Sequence, residues 1–264
     1  MSTVTPETSF EDIDRLERRG EGLRRYLTMP VSLAAVCVAL YLWVSAQDLD
    51  SIEQRRLNAN EISDAFVGHL QLTVLSTIAV LLIAVPLGVL LTRSWARGFA
   101  PPIIAVANIG QAVPSIGVLA LLAIFWFSRG QQLNIGLAVI GLVVYAILPV
   151  MRNTMVGLQQ VDPAVLEAGR GMGLSKRGVF LQLELPLAVP VILAGVRTAL
   201  IILVGTAALA TYIGGGGLGD IIRSGLQTGR DTVTYAGAVL VAVLALFIDY
   251  LAGIAEDFLK PKGL

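Results

Sequence analysis

Six long apolar stretches, joined by polar connections, organise the chain; they cover residues 29–46, 70–91, 103–127, 135–156, 187–213 and 232–255. A helix needs about 20 mainly apolar residues to cross the hydrocarbon of a bilayer. None of the stretches shows the alternation of about ten residues that a barrel strand requires. Backbone groups in lipid must then bond within their own helix. The pattern predicts an all-α polytopic membrane protein with six transmembrane helices. Pro86 lies near the end of the second stretch and Pro114 in the middle of the third. The fifth contains Arg197 and the sixth Asp249. The first stretch follows a long charged segment, residues 1–28, and no small-residue cleavage site clearly follows it. It is therefore read as a helix that stays rather than as a signal peptide.

Composition agrees with this. Of 264 residues, 55% are hydrophobic and 14% charged, with mean hydropathy +0.76. A soluble domain carries about 25% charged residues, and a disordered chain is poor in apolar ones. One cysteine, Cys37, excludes a disulfide framework, and one histidine, His69, leaves no His/Cys cluster of metal-ligand spacing. Nineteen basic residues balance nineteen acidic ones. That argues against a nucleic-acid binder, which needs a basic excess. The balance hides an asymmetry. If the stretches alternate in direction, Arg15, Arg18, Arg19, Arg24, Arg25, Arg93, Arg97, Arg152, Arg170, Lys176, Arg177, Lys260 and Lys262 share one side. The other side has only Arg55, Arg56, Arg129, Arg223 and Arg230, with Asp48, Asp50, Glu53, Glu61 and Asp64 in its first loop. Basic residues beside spans mark the cytoplasmic face, so both termini are expected there. The Arg24–Arg25–Tyr26 run reads as an interface anchor.

The longest cytoplasmic connection, residues 158–186, is organised. Asp162 followed by Pro163 starts a helix, with Asp as N-cap and Pro at the first helical position. The helix is expected to run to about Arg170, where Gly171 and Gly173 end it. Phe180, Leu181, Leu183 and Leu185 then return to the bilayer, and Pro186 marks the entry to the fifth span. Such an ordered hairpin suits docking of another protein.

This segment resembles the signature of permease subunits of ATP-binding-cassette importers: Glu-Ala-Ala, three residues, Gly, nine residues, Ile-x-Leu-Pro. Here Glu167, Ala168, Gly169, Gly173, Leu183, Leu185 and Pro186 stand at the same spacing. The chain departs from it twice, with Gly169 for the second Ala and Leu183 for Ile. HLQLTVLSTIAVLLIAVPLGVLLTR, NIGQAVPSIGVLALL, the run from Leu148 to Gly173, and RTALIILVGTAALATYIGGGGLGDIIRSGL are similar to the glycine betaine/carnitine/choline permeases, as is the terminal DYLAGIAEDFLKPKGL. The resemblance covers about His69 to Leu264 and implies a five-helix importer core over 66–259, with the helix at 29–46 added ahead of it. It further implies that Asp162, Glu167, Ala168, Gly169, Gly173 and Pro186 belong to a coupling helix and loop docked on an ATP-hydrolysing subunit.

The chain has no GxxxxGK[ST] phosphate loop, and no Lys follows Gly214–Gly217. With no catalytic constellation either, it is expected to be a non-enzymatic transport subunit that holds no cofactor. The resemblance places ATP and Mg on the partner ATPase. It also implies a second permease subunit, identical or related, and a separate extracytoplasmic solute-binding protein. The expected cargo is a quaternary-ammonium compatible solute. Alternatives at this point are methionine or another small polar solute, an ATP-independent carrier or channel, and a non-transporting scaffold.

Pathway and gate candidates are Asn108, Gln111, Pro114 and Ser115 in the third stretch, where a proline frees a carbonyl and kinks the helix, against the alternative of a packing kink. Asn108, Gln111 and Ser115 are expected on one helical face. Gly214 and Gly217 suit an outer gate, a docking loop or a re-entrant turn. Tyr145 and Tyr212 are the weak aromatic candidates for a cation site; the aromatic cage itself is expected in the binding protein. Phe125, Trp126 and Phe127 read as an interface belt. His69 reads as interfacial. Arg197 either snorkels to the interface or pairs, and Asp249 reaches water.

Overall fold

In the computed structural model the backbone is described for residues 10–259 and side chains for residues 26–259. The anchor arginines at 15–25 and the tail lysines Lys260 and Lys262 thus lie outside the described side chains. All regular structure among the described residues is helical. The order is α1 (Phe10–Ser45), α2 (Ser51–Arg56), α3 (Ala59–Thr92), α4 (Ala100–Ala112), α5 (Ser115–Phe127), α6 (Ile135–Gln159), α7 (Pro163–Gly171), α8 (Lys176–Val179), α9 (Leu185–Ala207), α10 (Leu218–Thr228) and α11 (Asp231–Leu259). Five helical stretches are long and apolar enough to cross a membrane, within α1, α3, α6, α8–α9 and α11.

The third apolar stretch is not one kinked helix. It is two helices, α4 and α5, bent by 99°. Each has 13 residues, about 20 Å of helix, too short to cross alone. The break has a local cause. Pro114 lacks an N–H and forces Val113 into the extended region, φ −72°, ψ 135°. The pair still links the two ends of the bundle. The segment before α4 adjoins the end of α3, whereas the start of α6 beyond α5 meets the Gly214 loop at the opposite end. Asn108 and Gln111 therefore lie on one helix and Ser115 on the next, and the shared face expected for them does not form.

The centre is α6, packed between α3 and α9. Small residues let these backbones approach, as bundles in lipid require. A Cβ on Gly195 of α9 would lie 2.9 Å from the Pro149 carbonyl of α6, and one on Gly88 of α3 would lie 2.9 Å from the Met151 carbonyl. Leu72, Leu142, Met151 and Leu203 are fully buried there. Leu82, Leu121, Ile124 and Tyr41 face outward and exposed, as a lipid-facing surface should.

Helix α1 runs unbroken through residue 28 and packs on α11. Its membrane-crossing part, Tyr26–Ser45, is held at both ends. The Tyr250 hydroxyl donates to the Tyr26 carbonyl (2.8 Å), and the Tyr26 hydroxyl donates to Asp257 (3.1 Å). At the other end Trp43 meets Tyr235 edge-on, and Arg230 pairs with Asp50 at 2.7 Å. Asp50 also caps α2 by accepting from the Ile52 and Glu53 amides. Its hydrogen bond from Arg230, and then that from Glu53, hold the carboxyl down at about 2. A depressed carboxylate contributes above its unfolded pKa, so this tie is lost only as pH falls through about 2.

Candidate functional site

The segment that carries the importer-like signature forms as its local chemistry dictates. The Asp162 side chain accepts from the Ala164 amide (2.8 Å) and starts α7. Gly173, at φ +85°, ends it, with its N–H bonding to the Arg170 carbonyl and that of Leu174 to the Gly169 carbonyl. This is the left-handed exit that glycine permits. Glu167 and Ala168 are exposed, while Gly169 is buried. A Cβ on Gly169 would lie 2.5 Å from Leu183 Cδ1. The two departures from the signature therefore touch each other: leucine's γ-branch fills the space that an alanine methyl would occupy.

The return to the bilayer is helical and joins the fifth span without a loop. Between α8 and α9, residues Phe180–Glu184 form one turn of π-helix, in which the Leu185 amide bonds to the Phe180 carbonyl. The wide turn makes room for Pro186, whose ring would crowd the carbonyl four residues back and which donates nothing. Sequence periodicity gives no signal for such a turn. Arg93, just beyond α3, reaches this segment. Its guanidinium forks onto Glu184 at 2.9 and 3.2 Å and lies 5.1 Å from the Phe180 ring centre.

The second group of candidates surrounds the α4–α5 break. The Tyr145 hydroxyl donates to the Val113 carbonyl, which the break takes out of the helical ladder, and Gln111 Nε2 donates to the Tyr145 carbonyl (2.6 Å). Tyr145 is buried, its ring committed to this bond. Asn108 accepts from Arg152 at 3.2 Å. These side chains thus tie the broken helix to α6.

The third group lies at the end opposite α7. Tyr212, in the 3-10 turn Leu209–Ile213, is half exposed. Gly214 has φ +87°, and a Cβ there would sit 2.9 Å from the Asn134 amide; at Gly217 (φ +84°) it would sit 2.9 Å from His69 Cα. The loop therefore lies directly on α3 and α6. Thr211 bonds to Asp220, which also pairs with Arg223 (3.1 Å). A cleft of about 470 Å³ opens beside it, lined by Arg56, Glu61, Asp64, Asp220 and Arg223. Gly217→Ala should lower the yield of folded protein and cost about 1–3 kcal/mol, because the methyl meets backbone and the residue is left-handed. An unchanged unfolding temperature in detergent would contradict this contact.

His69 departs from its sequence expectation, and Arg197 takes one of its two alternatives. His69 is fully buried rather than interfacial, and its Nε2–H donates to the Val204 carbonyl (3.0 Å), near the end of α9 where the helical ladder gives out. Arg197 pairs rather than snorkels. It donates to both oxygens of Asp249, at 2.8 Å from Nη2, and lies 3.7 Å from Glu256. Among the described residues no group of three metal-ligating side chains comes together.

Comparison with known proteins gives a consistent result. The family described as "binding-protein-dependent transport system inner membrane component" matches residues 84–261. The choline transport system permease protein of Bacillus subtilis is 40% identical over 78% of this chain and 92% of its own length. The carnitine transport permease protein of Listeria monocytogenes is 37% identical over 80% and 92%. The osmoprotectant import permease protein of Salmonella typhimurium is 33% identical over 82% and 100%. Among solved structures, an inward-facing methionine ABC transporter chain superposes with TM-score 0.65 and 26% identity, covering 76% of this chain and 96% of that one. An amino acid ABC transporter at 17% identity shares the fold, with TM-score 0.64. With a family model spanning two-thirds of its length, the protein belongs to the inner-membrane permease components of binding-protein-dependent transport systems.

Proposed function

We propose that the protein is the membrane-spanning subunit of an ATP-driven importer for a quaternary-ammonium compatible solute such as glycine betaine, choline or carnitine. The observation that carries this reading is 33–40% identity, over most of both chains, to permeases named for choline, carnitine and osmoprotectants. Two permease subunits, identical or paired, work with two ATPase subunits, which bind ATP and Mg. An extracytoplasmic binding protein delivers the solute. Both termini and α7 face the cytoplasm, as the clustering of basic residues supports.

The chemistry divides accordingly. A trimethylammonium cation cannot shed its charge by losing a proton, so it needs aromatic faces or a counter-charge wherever it rests. Tyr145 and Gln111 are engaged in holding the broken helix, which leaves selection to the binding protein and passage to the permease. ATP-driven closure of the ATPase subunits presses on α7 around Glu167. The helices then swing to accept solute from the outer side, where the Gly214–Gly217 loop and the cleft beside Asp220 offer the gate and docking surface. Hydrolysis resets the inward-open state.

A methionine importer is the second reading, favoured by the likeness to the methionine transporter structure. Ligand-induced stabilisation of the cognate binding protein separates the two. Choline, carnitine or betaine should raise its melting temperature and methionine should not; the reverse would replace the proposed cargo. Uptake into proteoliposomes should also require the ATPase and ATP. Gradient-driven uptake by the permease alone would make it a secondary carrier.

A further inference from the structure

We propose that the ion pair between Arg93 and Glu184 is a lock that makes span two, as well as span five, follow the coupling helix. This rests on the reading of α7 as the ATPase-docking helix and adds a route by which its motion reaches the bundle.

The contacts form one connected line. Helix α7 packs on α8 and on the π-helical turn. Its buried Gly169 lies directly against Leu183 of that turn. The next residue, Glu184, is held by Arg93 at both carboxylate oxygens, and only 12% of its side chain is exposed. Arg93 is itself fixed to α3. Its Nε donates to the Val89 carbonyl at 3.3 Å, and its guanidinium lies over Phe180, at the other end of the same turn. A cation just past the last turn also suits the α3 dipole. The planar fork matters. A bidentate Arg–carboxylate pair resists both shear and rotation, which a lysine point charge does not. Downstream, the π-turn runs directly into α9. Displacement of α7 therefore acts on α9 through the backbone and on α3 through one charged fork. Arg93 and Glu184 are positioning residues, each acting through the other.

The test reads coupling directly. The complete importer, with its ATPase and binding protein, is reconstituted with Arg93→Glu, Glu184→Arg, the double reversal and the milder Glu184→Gln. Each single reversal should keep the ATPase subunit copurifying and its basal hydrolysis intact. Uptake should fall about tenfold, so that more ATP is spent per solute moved. The double reversal should recover at least half of the uptake, an outcome that general misfolding would not give. Glu184→Gln, which keeps shape and one hydrogen bond, should fall between wild type and the reversals. Unchanged uptake in the single reversals, or a double reversal no better than either, overturns the lock. Loss of the ATPase from Glu184→Arg also overturns it, because the residue would then serve docking. Glu167→Lys run in parallel keeps the two ideas apart: if that variant retains the ATPase with full uptake, the docking reading itself fails.

Discussion

Replacing Glu167 by lysine should abolish ATP-dependent uptake while the permease still folds and inserts. Glu167 lies on the exposed side of α7, and no ion pair engages it among the described residues. Its charge does little for the isolated chain, and an exposed substitution of this kind changes stability by about 0.5 kcal/mol or less. On the proposed reading its value lies in the ATPase subunit that docks there. A carboxylate buried at an interface against a basic partner costs about 2–5 kcal/mol to lose, and reversal adds repulsion to that loss. The expected result is uptake down by about 30-fold or more, with loss of ATPase copurification and wild-type yield in the membrane. Gly173→Ala should share the phenotype at smaller scale, because its left-handed φ ends α7 and orients the helix. Undiminished uptake by Glu167→Lys, at normal expression, would remove α7 as the docking element.

This outcome depends on features that were readable in the sequence because they are local. Asp162 before Pro163 and Gly173 after the helix act within a few residues, so spacing places the α7 ends to within a residue. The apolar stretches are similarly legible, since each must satisfy its own backbone in lipid. What escaped the sequence is what depends on distant partners. Nothing near Arg197 in sequence indicates Asp249, 52 positions away. The burial of His69 follows from the Gly217 loop and the end of α9, over 130 residues on. The break at Pro114 illustrates the boundary between the two. Its position is in the sequence, but its size is not. A bend of 99° is eased because Tyr145, from α6, supplies a hydrogen bond to the Val113 carbonyl that the break takes out of the ladder. Without that tertiary partner a part-buried carbonyl would be left unpaired, and a gentler kink would be the cheaper geometry. The π-turn before Pro186 has the same logic. Proline demands room there, while the surrounding packing on Gly169 and Arg93 decides how the room is made.

The Arg197–Asp249 pair carries the largest expected effect on stability, and its two halves should not be equal. Arg197 stands inside the fifth span and Asp249 inside the sixth, and both side chains are only partly exposed. A charge in this setting is costly unless paired. Arg197→Leu leaves Asp249 without its fork and Glu256 without its more distant cation, and should destabilise by about 2–3 kcal/mol. Asp249→Leu leaves Arg197 with Glu256, 3.7 Å away on the same helix as the lost partner, and should cost about 1 kcal/mol. The guanidinium also lies against Gly253, one turn beyond Asp249, where a Cβ would sit 3.5 Å from Nη1. Leucine at both positions should be more stable than the sum of the two losses predicts, because an apolar pair suits this depth and no charge is stranded. Unfolding in nanodiscs of wild type, both singles and the double measures this directly. A coupling energy of about 1 kcal/mol or more is expected. Additive losses, or an Asp249→Leu variant less stable than Arg197→Leu, would show that the two side chains act separately and that Glu256 does not shelter Arg197.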